Sequence, residues 1–173
     1  MAASMRRLLT HKHILLIQGK MGSFFSRFST FLQSQGIIVS KINLNAGDAF
    51  FYRHTEHVYN YKDKIDNFSP YLANLIHDEH IDAVVCFGDC RPHHAIASQV
   101  CKRDQISFFV FEEGYLRPDY ITLQEDGING YSTLDVSNIK TLARANAKPL
   151  FTDNRFYRLC FSAIVYYVVA RAK

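Results

Sequence analysis

Two adjacent glutamates, Glu112 and Glu113, directly follow the apolar run ISFFVF at 106–111. Two carboxylates held close together favour protonation of one of them, a property that suits a general base. If the extended geometry of the run continues, the two side chains point to opposite faces, so that one reaches a cleft while the other is held by backbone or by Arg117. The alternative is structural: a carboxylate that caps the next turn and pairs with Arg91 or Arg117.

Three further apolar runs are followed by polar segments that hold candidate ligands. The residues of interest are Gln18 and Gly19 in QGKMGS (18–23), Asn43, Asn45 and Asp48 in NLNAGD (43–48), and Asp89 and Arg91 in GDCRPHH (88–94). Short amides and acids beside aromatic rings are typical of carbohydrate sites, and arginine binds phosphate or carboxylate in a bidentate manner. The alternatives are a tight turn for the glycines, an Asx-rich turn for the asparagines and a helix N-cap for Asp89.

The segments between these candidates predict alternating strands and helices. Continuous apolar runs bounded by turn residues indicate buried parallel strands, and apolar residues at three- and four-residue steps indicate amphipathic helices. We expect Ser23 and Ser69 to be helix N-caps, and Pro70 and Pro92 to open helices. The predicted strands are 13–19, 37–44, 82–88 and 106–111; the predicted helices are 22–36, 69–81, 91–105, 137–149 and 156–173; 45–52 is predicted as a loop and 120–134 as a hairpin or ordered loop.

This alternation predicts an α/β fold with a Rossmann-like, doubly wound parallel sheet. In such a sheet ligands bind beyond the carboxyl ends of the strands, which is where the four polar segments lie. We expect one domain over 1–150 and a C-terminal helical segment over 151–173.

Composition narrows the function classes. The 173 residues carry a net charge of +4 without a block of like charge, which fits small anions or an anionic lipid surface and gives no specific support for nucleic-acid binding. The four cysteines show no metal-ligand spacing, so we expect free or buried thiols and no metal. The apolar run at 14–17 is too short for a signal peptide, which favours a cytoplasmic protein, and the one at 159–170 is shorter than the ~20 residues of a membrane span.

Taken together, four segments resemble the bacterial capsular polysaccharide biosynthesis and export family. The segments are LLIQGKMGSFFSRF, KINLNAGDAFFY, DAVVCFGDCRPHHAIA and FVFEEGYLRPDYITLQEDGINGYS, and they run from about His13 to Ser132 in order. The family contains the β-Kdo transferases that begin the poly-Kdo linker on a phosphatidylglycerol-type lipid.

The resemblance implies a GT-B glycosyltransferase, with two Rossmann-like domains, CMP-Kdo as the donor substrate and no cofactor. Glu112, Glu113 and Gly114 match an acid-acid-glycine motif of similar transferases, in which Glu113 would deprotonate the acceptor hydroxyl and Glu112 would orient it. Tyr115 and Arg117 join the substrate-binding candidates on the same segment. This role requires Glu113 to face an open crevice above the strand ends, without neutralisation by an ion pair.

The chain departs from the family in one motif and in length. It contains no His-Pro pair, the motif that contacts the CMP phosphate in similar enzymes, and it is much shorter than family members. We therefore expect the N-terminal, acceptor-side half of such an enzyme, with 151–173 as a connecting helix whose apolar face packs on the missing second domain. Such a protein would be peripheral to the inner membrane and in contact with capsule assembly proteins. The alternatives are a non-catalytic binding module of the capsule machinery and, from fold analogy alone, a flavodoxin-like nucleotide-binding regulator.

Overall fold

The apolar runs form one six-stranded sheet. The computed structural model describes residues 3–113, 121–127 and 155–171, with the side chains of the last segment described from 161 to 170. The strand order is β3-β2-β1-β4-β5-β6; the first five strands are parallel and β6 runs antiparallel to β5. The strands are β1 (His13–Leu16), β2 (Ile38–Asn43), β3 (Val58–Asn60), β4 (Ala83–Phe87), β5 (Ser107–Glu113) and β6 (Ile121–Glu125).

Helices connect the parallel strands and cover both faces of the sheet. This arrangement confirms the predicted α/β, doubly wound fold. The helices are α1 (Ala3–Leu8), α2 (Phe24–Ser34), α3 (Ala46–Phe51), α4 (Phe68–Asp78), α5 (Pro92–Asp104) and α6 (Arg155–Arg171).

Alternate residues of each strand enter two separate cores. Leu15 and Val110 pack with the residues of α4 and α5, whereas Leu16 and Phe111 pack with those of α2. Successive strand side chains point to opposite faces, so this alternation is expected of a sheet covered on both sides. At the end of β5, Glu112 therefore follows the face of Val110, and Glu113 follows the face of Phe111.

The direction of the chain crossing reverses between β1 and β4, which are neighbours at the centre of the sheet. From β1 the chain proceeds outward to β2 and β3, then returns to β4 and proceeds outward in the other direction. The connections after β1 and β4 diverge at this point, and a crevice opens beyond the carboxyl ends of the strands.

Three local predictions were wrong. Residues 45–52 are not a loop, because the Asn45 side chain accepts a hydrogen bond from the Asp48 amide and caps the short helix α3. Ser69 is not an N-cap and Pro70 does not open the helix, because a 3-10 turn at Ile65–Asn67 continues directly into α4, which begins at Phe68. Pro92 opens α5 as predicted, and Ser23 precedes α2 but makes no capping hydrogen bond.

Other elements were not predicted or lie outside the described residues. The short helix α1 and the edge strand β3 give too few residues for a periodic signal. The predicted helix at 137–149 lies outside the described residues. Of the segment 120–134, the structure describes β6 and the turn that follows it, where Asp126 has a φ of 67°.

Candidate functional site

A crevice of about 310 Å³ lies beyond the ends of β1, β4 and β5. We call it the carboxyl-edge crevice, and its polar lining consists of Lys20, Asp89, Cys90, Arg91, Glu112 and Glu113. Four of these six residues were predicted as site residues from sequence. The loops after three different strands supply them, so the topology of the sheet brings them together.

The two glutamates are held differently. Glu112 Oε1 accepts a hydrogen bond from the Glu113 amide at 3.1 Å, which ties the first carboxylate to backbone. Glu113 Oε1 forms an ion pair with Lys20 Nζ, and both side chains remain just over a quarter exposed. The expectation of an unneutralised Glu113 carboxylate was therefore wrong: the loop after β1 places an ammonium against it, within the crevice that both residues line.

Arg91 and Gly88 hold the loops of the crevice in place. Arg91 Nη1 donates to the Gly19 carbonyl at 3.2 Å and so links the loop after β4 to the loop after β1. Gly88 has a φ of +74°, and a Cβ there would lie 4.0 Å from Glu112 Oε2. The Gly88 amide also donates to the Phe111 carbonyl at 2.8 Å, which fixes the end of β4 against β5.

Asp89 and Cys90 form the rim of the crevice. The Cys90 thiol donates to Asp89 Oδ1 at 3.3 Å, and this hydrogen bond and the negative charge of Asp89 raise the pKa of the exposed thiol. A thiol of raised pKa is a poor nucleophile at neutral pH. The carboxylates are therefore better candidates for chemistry here than the cysteine.

A second polar group lies at the same edge, beyond β1 and β2, and it is closed by α6. The Tyr166 hydroxyl accepts hydrogen bonds from Gln18 Nε2 at 2.7 Å and from Asn45 Nδ2 at 2.8 Å. It donates to Asp48 Oδ1 at 3.1 Å. We call these four residues the Tyr166 cluster. Three predicted substrate ligands thus converge on one hydroxyl group that comes from the chain itself.

The same residues also make local bonds. Asp48 Oδ2 accepts from the Leu44 amide at 3.0 Å, in addition to the capping bond that the Asp48 amide donates to Asn45. Asn43 Nδ2 donates to Asn60 Oδ1 at 3.1 Å, between neighbouring strands. Substrate binding by Asn43, Asn45 and Asp48 stays a prediction, and for the latter two it requires Tyr166 to leave.

Lys41 lies behind the Tyr166 cluster and is buried. Burial lowers the pKa of Lys41 to about 8, and the nearby charge of Asp48 opposes that shift. Its ammonium donates to the Ile42 carbonyl at 2.5 Å and lies 5.7 Å from the centre of the Tyr52 ring. A small cavity there is lined by Lys41, Asp48 and Tyr166 among others.

Three residues that contact or lie beside the predicted site residues were not predicted from the sequence: Lys20, Lys41 and Tyr166. Lys20 had a usable signal, since it follows a strand end as the other candidates do. Lys41 interrupts the apolar run IIVSKIN, which is unusual for a strand buried on both faces. The contact of Tyr166 with residues near the N-terminus left no local signal. Gly114, Tyr115 and Arg117 lie outside the described residues.

The part of the chain that the structure describes contains neither a metal-ligand cluster nor a membrane-spanning helix. Within residues 3–113, 121–127 and 155–171, no group of three or more His, Cys, Asp or Glu side chains is placed to hold a metal ion. Cys86 and Cys101 are buried free thiols. None of the helices that the structure describes is both long enough and apolar enough to cross a bilayer.

The sequence profile described as "Capsule polysaccharide biosynthesis protein" matches residues 82–171, slightly more than half of the chain. The chain belongs to this family. The matched part of this capsule family protein begins before β4 and ends with α6, so it contains Asp89, Arg91, Glu112 and Glu113.

Curated relatives carry related descriptions. The capsule polysaccharide modification protein LipB of Neisseria meningitidis serogroup A is 42% identical over 165 residues, which cover 91% of this chain and 39% of LipB. The capsule polysaccharide export protein KpsS of Escherichia coli is 42% identical over 127 residues, which cover 73% of this chain and 32% of KpsS. The chain therefore spans about two fifths of LipB and about a third of KpsS.

Among solved structures, the Bordetella bronchiseptica enzyme WbmH in complex with NAD+ is similar to this capsule family chain. The TM-score is 0.43 at 19% identity, over 57% of this chain and 38% of WbmH. At this distance the likeness supports no inference about ligand or reaction.

Proposed function

We propose that this chain forms the acceptor-side part of a capsule glycosyltransferase that transfers Kdo from CMP-Kdo to a phosphatidylglycerol-type lipid. The single observation that carries the proposal is the carboxyl-edge crevice, where Glu113 and Glu112 lie together in a member of the capsule polysaccharide biosynthesis family. The partners of this activity would be the donor, the lipid acceptor at the inner face of the cytoplasmic membrane, and other capsule assembly proteins.

In this reaction Glu113 acts as the general base. An acceptor hydroxyl attacks the anomeric carbon of Kdo, the bond from that carbon to the CMP phosphate oxygen breaks, and CMP leaves with the bonding electrons. The proton of the acceptor hydroxyl goes to Glu113, and in-line attack inverts the anomeric configuration. A correctly placed base of this kind contributes roughly 10²–10⁴-fold to the rate.

The role of base was expected to need an unpaired Glu113. The pair with Lys20 is only partly buried and leaves the carboxylate in the open crevice, so the role is kept in the proposal. An acceptor hydroxyl can approach the carboxylate from the crevice that both residues line. Glu112, held by the Glu113 amide, fixes the end of the strand from which the base projects.

A non-catalytic binding module is the second candidate, and the Tyr166 cluster favours it. The Tyr166 hydroxyl already satisfies Gln18, Asn45 and Asp48, so these residues present no open ligand site in this structure. A chain of this kind would hold an acceptor or a capsule protein through the open crevice alone and would not turn over.

The test is a transfer assay with CMP-Kdo and a fluorescent phosphatidylglycerol acceptor, on a full-length protein that joins this chain to a donor-binding domain. Release of CMP and formation of a larger lipid product are measured for wild type, Glu113→Gln and the matched control Glu56→Gln, whose side chain is exposed far from the crevice. We expect Glu113→Gln to lower the rate by about 10²-fold or more because the base is lost, and Glu56→Gln to leave it unchanged.

Acceptor binding is measured on the same three proteins by titration of the fluorescent lipid in detergent. Binding without turnover in wild type would favour the binding module. Equal turnover by wild type and Glu113→Gln would remove Glu113 from the role of base, and the absence of both binding and turnover would remove both functions.

A further inference from the structure

One side of α6 presents a continuous apolar stripe to solvent. Phe161, Ile164, Tyr167 and Val168 are each more than half exposed, and they recur at steps of three and four residues. Residues at this spacing lie on one face of a helix. Scattered exposed apolar residues are ordinary, but four on one face of one helix indicate an interaction surface.

The opposite side of α6 is fixed to the domain. Tyr166 is buried among Gln18, Asn45 and Asp48, and its ring stacks on Phe51 at 6.4 Å between centroids. The helix approaches α3 so closely that a Cβ on Gly47 would lie 2.7 Å from the Tyr166 ring. The exposed stripe is therefore held outward by contacts on the other side.

The charge of α6 has a single sign. Its sequence contains Arg155, Arg158 and Arg171 and no acidic residue. Arg171 follows Ile164 by seven positions and Val168 by three, so its position shares the face of the apolar stripe, and Arg158 lies one turn before Phe161 at the edge of that face. An apolar stripe with basic residues at both ends is complementary to a bilayer whose headgroups are anionic.

We infer that α6 docks this chain onto an anionic lipid surface, with the helix lying in the plane of the bilayer and Phe161, Ile164, Tyr167 and Val168 entering the interface. A helix in the plane of a bilayer places an apolar face among the acyl chains and basic residues among the headgroups, which is the pattern of α6. The inference rests on the lipid partner of the proposed function, but not on sugar transfer.

The sequence makes a direct test possible, because it contains no tryptophan. Tyr167→Trp places one fluorescent reporter in the exposed stripe next to the buried Tyr166. Vesicles of phosphatidylcholine mixed with phosphatidylglycerol are compared with vesicles of phosphatidylcholine alone. With the mixed vesicles we expect a blue shift of the emission, quenching by brominated lipid and co-sedimentation of the protein; with phosphatidylcholine alone we expect much weaker signals.

Variants then separate the apolar and the basic contributions. Phe161→Ser combined with Ile164→Ser should lower partition into mixed vesicles by about tenfold or more because the apolar contact is lost. Arg158→Gln and Arg171→Gln should each lower it by about fivefold, in proportion to the surface charge removed. Ile38→Ser is the matched control, because Ile38 is half exposed at the other end of the sheet, and it should change nothing.

Circular dichroism of each variant excludes unfolding as the cause. Absence of binding to mixed vesicles, or equal binding to both kinds of vesicle, would overturn the inference. Self-association in sedimentation velocity that the Phe161/Ile164 variant abolishes would instead assign the stripe to a second copy of the chain. A failed transfer assay leaves the inference intact, since vesicle binding requires neither CMP-Kdo nor turnover.

Discussion

The two halves of the sheet's carboxyl edge have similar polar residues, but only one half is covered by another element of the chain. Beyond β1 and β2, Gln18, Asn45 and Asp48 are closed off by the hydroxyl of Tyr166. Beyond β4 and β5, Glu112 and Glu113 line a crevice of about 310 Å³ that remains open to solvent. The closed half uses its polar groups to hold the fold together, whereas the open half keeps them accessible.

The difference shows that polarity at a strand end does not by itself identify a ligand site. The two halves differ in how far another element covers the polar groups: α6 closes over Gln18, Asn45 and Asp48, whereas the Lys20–Glu113 pair stays partly exposed. A buried polar group has to be paired, and loss of a partner costs about 1–3 kcal/mol for each group left unsatisfied. Substitutions in the closed half should therefore lower the stability of the protein, whereas substitutions in the open half should lower its activity.

The largest effect on stability is expected from Tyr166→Ala. The change removes a buried aromatic ring and leaves Gln18, Asn45 and Asp48 without their shared partner, so the free energy of unfolding should fall by about 3–5 kcal/mol. Urea unfolding followed by circular dichroism measures it. Tyr167→Ala is the matched control, because the neighbouring tyrosine is exposed, and its effect should stay within about 0.5 kcal/mol. Equal effects of the two changes would show that α6 is not anchored by Tyr166.

The second effect concerns the buried Lys41 and depends on pH. The pKa of Lys41 falls from 10.5 to about 8 on folding because burial disfavours the charged ammonium. Below pH 8 both states carry the proton and the folded state bears the full cost of the buried charge. Between pH 8 and 10.5 the unfolded state binds more protons than the folded state. The destabilisation by the buried charge therefore disappears as pH rises, and the free energy of unfolding increases.

Relative to Lys41→Met, wild type should therefore gain about 3 kcal/mol of stability between pH 8 and 10.5. The measurement is the difference in the free energy of unfolding between the two proteins at several pH values, which cancels the titration of groups common to both. A difference that stays constant over this range would contradict the assignment of a buried, partly deprotonated lysine.

The smallest effect on stability is expected in the open half. Lys20→Met and Glu113→Gln each break an ion pair between side chains that are just over a quarter exposed, so the free energy of unfolding should change by less than about 1 kcal/mol. Thermal or urea unfolding of the two variants and their double mutant measures it. A loss of several kcal/mol in either variant would place the Lys20–Glu113 pair with the structural half of the edge.

Much of the fold could be predicted because it depends on local patterns. The apolar runs at 13–19 and 82–88 contain β1 and β4, the run at 106–111 covers most of β5, and the segment 22–36 with its phenylalanine spacing contains α2. These patterns also fix which residues follow the strand ends, so the gathering of Asp89, Arg91, Glu112 and Glu113 in one crevice followed from topology. The sequence also held a signal for α3 that the loop prediction did not use. Asn commonly caps a helix by accepting a hydrogen bond from the amide three residues later, as Asn45 does from Asp48.

The sequence alone thus determined the class of fold and the edge at which polar groups meet, because strand and helix periods are set by neighbours along the chain. Only the tertiary structure decided which of those groups are open and which are paired. The bond between Gln18 and Tyr166 joins positions 148 residues apart, and the Lys20–Glu113 pair joins the loop after the first strand to the end of the fifth. No local pattern encodes such contacts, since they exist only when packing brings distant segments within hydrogen-bond distance.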